Sequence, residues 1–192
     1  MEKPIEIRWH GRAGQGVVTA GELLAEAAMG EGKFFQAFPD YGPERMGAPV
    51  KSYTRISDQP IEIHSQIQRP DVVVVVNPNL IGVVNLIEGL ADGGVVLINT
   101  PLSPAEIREK LGLVGRPVQV WTVDATRIGM ETLRRDIPST IMLGALVRAT
   151  NLVGIDSLLH LVREKLGEKL QAHVVEANLA GLKRAYEEAV SG

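Results

Sequence analysis

Five consecutive valines, Val72 to Val76, follow Asp71. A half-exposed strand alternates apolar and polar positions, and this run does not. It predicts a strand covered on both faces, the condition of a parallel sheet lying under helices. Val95–Ile98, ending at Asn99-Thr100-Pro101, reads as another buried strand, and Val118–Val123, ending at Asp124-Ala125-Thr126, as a further strand. Val83–Leu90 reads as a short helical or turn-like crossover. Ser103-Pro104 starts a helix at Ala105, with Glu106 in its first turn. The last third is helical: an almost wholly apolar segment over 139–153, an amphipathic one marked by Leu158, Leu159, Val162 and Leu166, and a final helix carrying Leu170, Val174, Ala177, Gly181 and Ala185. The expected fold class is α/β, a three-layer sandwich with a mostly parallel central sheet and a helical C-terminal region. One domain over residues 1–192 accommodates it.

Composition narrows the function classes. Apolar residues make up 45% and aromatics 4%, so the core is aliphatic. Twenty Lys+Arg against 23 Asp+Glu leave a net charge of −3, neither a nucleic-acid footprint nor an acidic tail. No apolar run approaches the roughly 20 residues that cross a bilayer. The opening MEKPIEIRWH lacks the basic-then-apolar pattern of a signal peptide. The expectation is a cytoplasmic protein with no nucleic-acid or membrane partner. Cysteine is absent, which removes disulfides, thiolate chemistry and cysteine-ligated iron–sulfur clusters from this chain. Any electron carriers it works with sit on another chain.

The strongest local signal lies near the N-terminus. Ile5–Trp9 reads as a strand that runs into Gly11-Arg12-Ala13-Gly14-Gln15-Gly16, and a helix follows from Val17 with Leu23, Leu24, Ala27 and Ala28 on one face. Such a turn sits at the carboxyl end of a strand, where free helix N–H groups and the positive end of the helix dipole point outward. The spacing is G-x-x-G-x-G, not the dinucleotide fingerprint G-x-G-x-x-G. The second strand, Phe34–Phe38, runs into Pro39 instead of an acidic residue. No Walker lysine and hydroxyl pair is present. Three readings stand: an anion or phosphate site, a turn without a ligand, and a contact loop for a partner. Arg12 on its rim suits bidentate pairing with phosphate or carboxylate. His10 is either an acid–base or ligand group or a tie for the loop backbone.

The segment Pro39 to Pro49 holds three prolines and two glycines and can be neither helix interior nor central strand. It is a shaped loop. Tyr41, Glu44 and Arg45 make it either a binding surface or an internally paired turn. Val50–Ile56 and Ile61–His64 read as strands of a hairpin-like excursion. Asn77 and Asn99 end buried strands at one edge, near the glycine turn or as caps. His10, His64, His160 and His173 have no metal-ligand spacing. Ser65, Ser103, Ser139 and Ser157 lack a nucleophile elbow. No catalytic residue and no metal ligand is assigned.

Two long stretches resemble the gamma subunit of 2-oxoacid:ferredoxin oxidoreductases. One is Trp9-His10-Gly11-Arg12-Ala13-Gly14-Gln15-Gly16-Val17 with Thr19-Ala20 and Leu23-Leu24-Ala25. The other is Phe38-Pro39-Asp40-Tyr41-Gly42-Pro43-Glu44-Arg45-Met46-Gly47-Ala48-Pro49. Arg55-Ile56-Ser57, Asp71 and Asn77-Pro78 extend the likeness over essentially the whole chain. The resemblance implies a complex that oxidatively cleaves a 2-oxoacid with thiamine diphosphate, coenzyme A and ferredoxin. The products are an acyl-CoA, carbon dioxide and reduced ferredoxin, and the reaction can run in reverse. It implies alpha, beta and delta subunits as partners and ferredoxin as electron acceptor. Thiamine diphosphate, Mg2+ and [4Fe-4S] clusters lie on those partners, and no cofactor is bound by this chain alone. By the same resemblance Gly11, Arg12, Gly14, Gln15 and Gly16 form a turn near coenzyme A. Tyr41, Gly42, Glu44, Arg45 and Gly47 form a second loop at that site or at an interface. Many members carry glycine where this chain has Ala13, and Arg-Gly-Gly where it has Met46-Gly47-Ala48, so that Arg45 lies one position before the usual arginine. These variants resemble the pyruvate-acting branch, sometimes shared with the branched-chain 2-oxoacid enzyme. Two alternatives are a purely structural assembly subunit and a stand-alone dinucleotide-binding oxidoreductase.

Overall fold

The valine run splits between two cores. In the computed structural model, which describes residues 3–40 and 47–192, Val72, Val74 and Val76 point into one apolar cluster, and Val73 and Val75 point into a second on the opposite face. A strand with valine at every position is what such a two-sided environment demands.

That strand, β4 (Val72–Val75), lies inside a seven-stranded sheet of order β2-β3-β1-β4-β5-β6-β7. Its companions are β1 (Ile5–Arg12), β2 (Phe34–Pro39), β3 (Pro49–Ser57), β5 (Val95–Asn99), β6 (Gln119–Val123) and β7 (Val190–Ser191). β1, β4, β5 and β6 run parallel, with Trp9 opposite Val74, Val74 opposite Leu97 and Leu97 opposite Trp121. The edges are antiparallel: β3 to β1, β2 to β3 and β7 to β6. The parallel centre follows expectation, and both flanks depart from it.

The two faces are covered unequally. One carries α1 (Val17–Gly30), α3 (Ala125–Thr132), α4 (Pro138–Thr150), α5 (Ile155–Gly167) and α6 (Ala172–Glu188), whose buried side chains join Ile7, Trp9, Leu97 and Val123. α4 and α6 touch backbone to backbone: a Cβ on Gly144 would collide with the Leu182 carbonyl, so only glycine permits that approach. The other face carries α2 (Pro104–Lys110), a 3-10 turn at Pro78–Leu80 and the turns over 81–90, which bury Leu80, Leu86, Leu90, Ile107 and Leu113. α2 begins in a capping box in which the Ser103 hydroxyl accepts from the Glu106 amide and the Glu106 carboxylate accepts from the Ser103 amide. The crossover over 83–90 is therefore turn-like.

The excursion after β1 differs from the expected one. β2 and β3 form the antiparallel pair, but Ile61–His64 forms no strand. The carbonyls of Ile61, Ile63 and Ser65 accept from the side chains of Gln36 and Arg55 instead. β3 also separates β2 from β1, so the adjacent β-α-β unit that a dinucleotide fold requires is not built here.

Candidate functional site

β1 runs three residues further than its apolar pattern suggests, through Gly11 and Arg12, because Val50 and Pro49 of β3 continue to pair with it. The chain then turns and enters α1. Gly16 caps the helix at φ +74, and a Cβ there would lie 2.8 Å from the Ser139 hydroxyl of α4. No side chain caps α1, and its first turn holds no acidic residue.

The amides of this turn fall into two groups. Three are spent locally. Arg12 N–H donates to Gln15 Oε1 at 2.8 Å, Ala13 N–H to the Ala48 carbonyl at 3.0 Å and Gln15 N–H to the Arg12 carbonyl at 3.0 Å. The first intrahelical bond joins Ala20 N–H to the Gly16 carbonyl. The amides of Gly14, Gly16, Val17, Val18 and Thr19 have no acceptor among the described residues. A helix leaves its first N–H groups in this state unless something external takes them.

Beside these amides lies an open cleft of about 280 Å³, lined by Arg12, Ala13, Gly14, Gly16, Val17 and Lys51 among others. Arg12 Nη1 donates to the Gly47 carbonyl at 2.8 Å, which fixes the guanidinium at the rim and ties the turn to the end of the second loop. Gly47 is thus brought to the turn. Tyr41, Gly42, Glu44 and Arg45 lie outside the described residues. Asn77 reaches the turn too, donating from Nδ2 to Gln15 Oε1 at 3.2 Å while its Oδ1 caps the 3-10 turn. Asn99 does not: it bridges the Val76 carbonyl and Thr126, holding β4, β5 and α3 together.

His10 is a tie and not an acid–base group. It is 1% exposed, and its Nε2 accepts from Arg8 Nε at 3.0 Å. Burial, and then the positive charges of Arg8 and Lys51, push its pKa down to about 3. The imidazole is therefore neutral near pH 7 and carries its proton on Nδ1.

Pattern reasoning missed a polar ladder on the α2 side of β1 and β3. Glu6 faces Arg55, Arg8 faces Tyr53 and His10 faces Lys51. The signal was present: Glu6, Arg8 and His10 alternate with Ile7 and Trp9 in a strand with no exposed face. Arg55, 1% exposed, pairs with Glu6 at 2.9 Å and donates to the carbonyls of Ile63 and Ser65. Among the described residues no three His, Asp or Glu side chains come together as a metal site, and no helix is long and apolar enough to cross a membrane.

A family model for pyruvate ferredoxin/flavodoxin oxidoreductase matches residues 6–188. The chain belongs to this family. Within the oxidoreductase family it is a gamma-type member. It is 44% identical over 187 residues to the pyruvate synthase subunit PorC of Thermotoga maritima, covering 97% of this chain and 95% of that one. It is 47% identical over 186 residues to the pyruvate/ketoisovalerate oxidoreductases common subunit gamma of Thermococcus kodakarensis, with 97% of each chain covered. The crystal structure of the Thermotoga maritima pyruvate oxidoreductase subunit superposes with a TM-score of 0.86 over 100% of this chain and 99% of that one, at 40% identity.

Proposed function

We propose that this chain is the gamma subunit of a multisubunit pyruvate:ferredoxin oxidoreductase and helps to form its coenzyme A site. The reaction converts pyruvate, coenzyme A and two oxidised ferredoxins to acetyl-CoA, carbon dioxide, two reduced ferredoxins and a proton, reversibly and in the cytoplasm. Thiamine diphosphate, Mg2+ and the [4Fe-4S] clusters belong to the alpha, beta and delta partners. This assignment suits a chain without cysteine.

One observation carries the site proposal. The uncapped N-terminus of α1 offers the amides of Gly16, Val17, Val18 and Thr19 beside a cleft rimmed by Arg12 and Lys51. That arrangement attracts a phosphate group through N–H donors, the helix dipole and two cations. Coenzyme A is the phosphate-bearing substrate of the reaction. Gly47 accepts from Arg12 at the rim of the same cleft.

The test is Arg12→Ala in the assembled complex. Losing one charge-assisted contact raises the KM for coenzyme A about tenfold and leaves the KM for pyruvate unchanged. An unchanged KM for coenzyme A in a fully assembled complex overturns the proposal. It would favour the purely structural reading, to which the internally bonded amides of Arg12, Ala13 and Gln15 lend support.

A further inference from the structure

Arg8 forms no direct ion pair among the described residues, although the Glu88 carboxylate lies near enough to favour its charge. It lies mid-strand in β1 and is only 3% exposed. Its Nε donates to neutral His10, and its Nη2 donates to the carbonyls of Leu86 and Glu88 at 3.0 and 2.6 Å. All three acceptors are uncharged. No carboxylate among the described residues forms an ion pair with it. A guanidinium withdrawn from water without an anion is costly, and its pKa is lowered by burial.

The remaining nitrogen, Nη1, has no acceptor among the described residues. No buried side-chain nitrogen or oxygen there lacks a hydrogen-bond partner, so Nη1 is open to solvent. The opening is a polar cleft of about 440 Å³ lined by Arg8, Lys51, Tyr53, Gln66, Arg69 and Glu88 among others.

The charges around this cleft are unequal. Arg8, Lys51 and Arg69 bring three cations from three different segments. Glu88 alone opposes them on the lining. Asp40 stands at the border of the cleft, accepting from two of its lining residues, Tyr53 Oη at 3.0 Å and Gln66 Nε2 at 2.7 Å, so three cations still outnumber two carboxylates. Lys51 and Arg69 have no ion-pair partner among the described residues.

We propose that this cleft is a binding site for a phosphoryl oxyanion, which pairs directly with Arg8 where no described carboxylate does. A phosphoryl group offers three oxygens, one for each cation, where a carboxylate offers two. The site differs from the glycine turn. It lies beneath the middle of β1, against the chain segments 66–69 and 86–88, and among the described residues shares only Lys51 with the cleft at the turn. It does not depend on the coenzyme A reading.

The test uses the full chain and inorganic phosphate, followed by isothermal titration calorimetry at fixed ionic strength. Saturable binding is expected. Arg69→Gln weakens it about tenfold, and Glu88→Gln, which removes the opposing charge, tightens it about threefold. Arg8→Met abolishes it, but this variant also frees the chain at 86–88, so the two exposed positions keep the test readable. Adenosine 3′,5′-bisphosphate separates the sources. If it displaces phosphate, and does so less well in Arg69→Gln, the phosphoryl group of a nucleotide is the ligand. If it does not displace phosphate, free phosphate is. Absence of saturable binding, or binding that neither Arg69→Gln nor Glu88→Gln alters, overturns the proposal.

Discussion

Asn77 and Gln15, 62 residues apart in sequence, meet through a hydrogen bond of 3.2 Å from Nδ2 to Oε1. The same Gln15 oxygen accepts the Arg12 amide at 2.8 Å. One side-chain carbonyl thereby fastens the turn after β1 to the end of β4, and it directs the turn's unspent amides toward the cleft.

Gln15→Ala removes that acceptor and strands two part-buried donors. Each lost partner costs about 1–3 kcal/mol less whatever water recovers, so a destabilisation of about 2 kcal/mol is expected in urea unfolding. The variant is also expected to raise the KM for coenzyme A, because the turn loses its fixed orientation. Gln15→Glu keeps the acceptor and is expected to unfold close to the unaltered chain, while its negative charge at the turn still raises the KM for coenzyme A.

Gly16→Ala forces a side chain into a left-handed backbone and against Ser139. The backbone term alone costs about 1–2 kcal/mol. The contact term adds to it and is recovered in the double variant Gly16→Ala/Ser139→Ala. Unfolding measurements on the two single variants and the pair separate the terms.

How much of this was readable in advance differs by feature. The valine strand announced its two-sided burial because every position is β-branched, and the glycine turn announced itself by a density that no helix or strand tolerates. Short elements did not: α3 carries only Ala125, Ile128 and Gly129 inward, and its one sequence mark is the Asp124 cap. The antiparallel insertion of β3 beside β1 rests on a register between residues some 40 positions apart, which local pattern does not encode. Ile61–His64 shows the opposite error. Its alternation suits a strand, yet Arg55 and Gln36 satisfy its backbone by side chain and leave Glu62, Ile63 and His64 exposed. The partial spending of the turn's amides was equally hidden, since it depends on Ala48 arriving from a distant segment and on Asn77 holding the Gln15 side chain in place.

Glu6→Ala leaves Arg55 buried with only neutral acceptors. Removing one partner of a buried ion pair costs about 3–5 kcal/mol. The chain over 61–65 hangs from the same guanidinium, so limited proteolysis within it is expected to accelerate along with the fall in stability.

His10 predicts a pH dependence with a definite sign. Its folded pKa, about 3, lies below the ordinary imidazole value, so between these two values the unfolded chain binds a proton that the folded chain refuses. Its contribution to stability is present above pH 6.5 and is lost as pH falls toward about 3. The loss approaches about 1.4 kcal/mol per pH unit within that window. Urea unfolding at pH 7, 6 and 5 reads the slope. His10→Gln, which keeps an acceptor for Arg8 but does not titrate, is expected to flatten it.

The amides of Gly14 and Gly16–Thr19, which have no acceptor among the described residues, are expected to face a ligand and not the interior of this chain. Hydrogen–deuterium exchange over residues 13–20 in the assembled complex, with and without coenzyme A, tests it most directly. Slower exchange in this segment on saturation with coenzyme A is the predicted result. Exchange there that coenzyme A leaves unchanged, while the complex turns over normally, would contradict it.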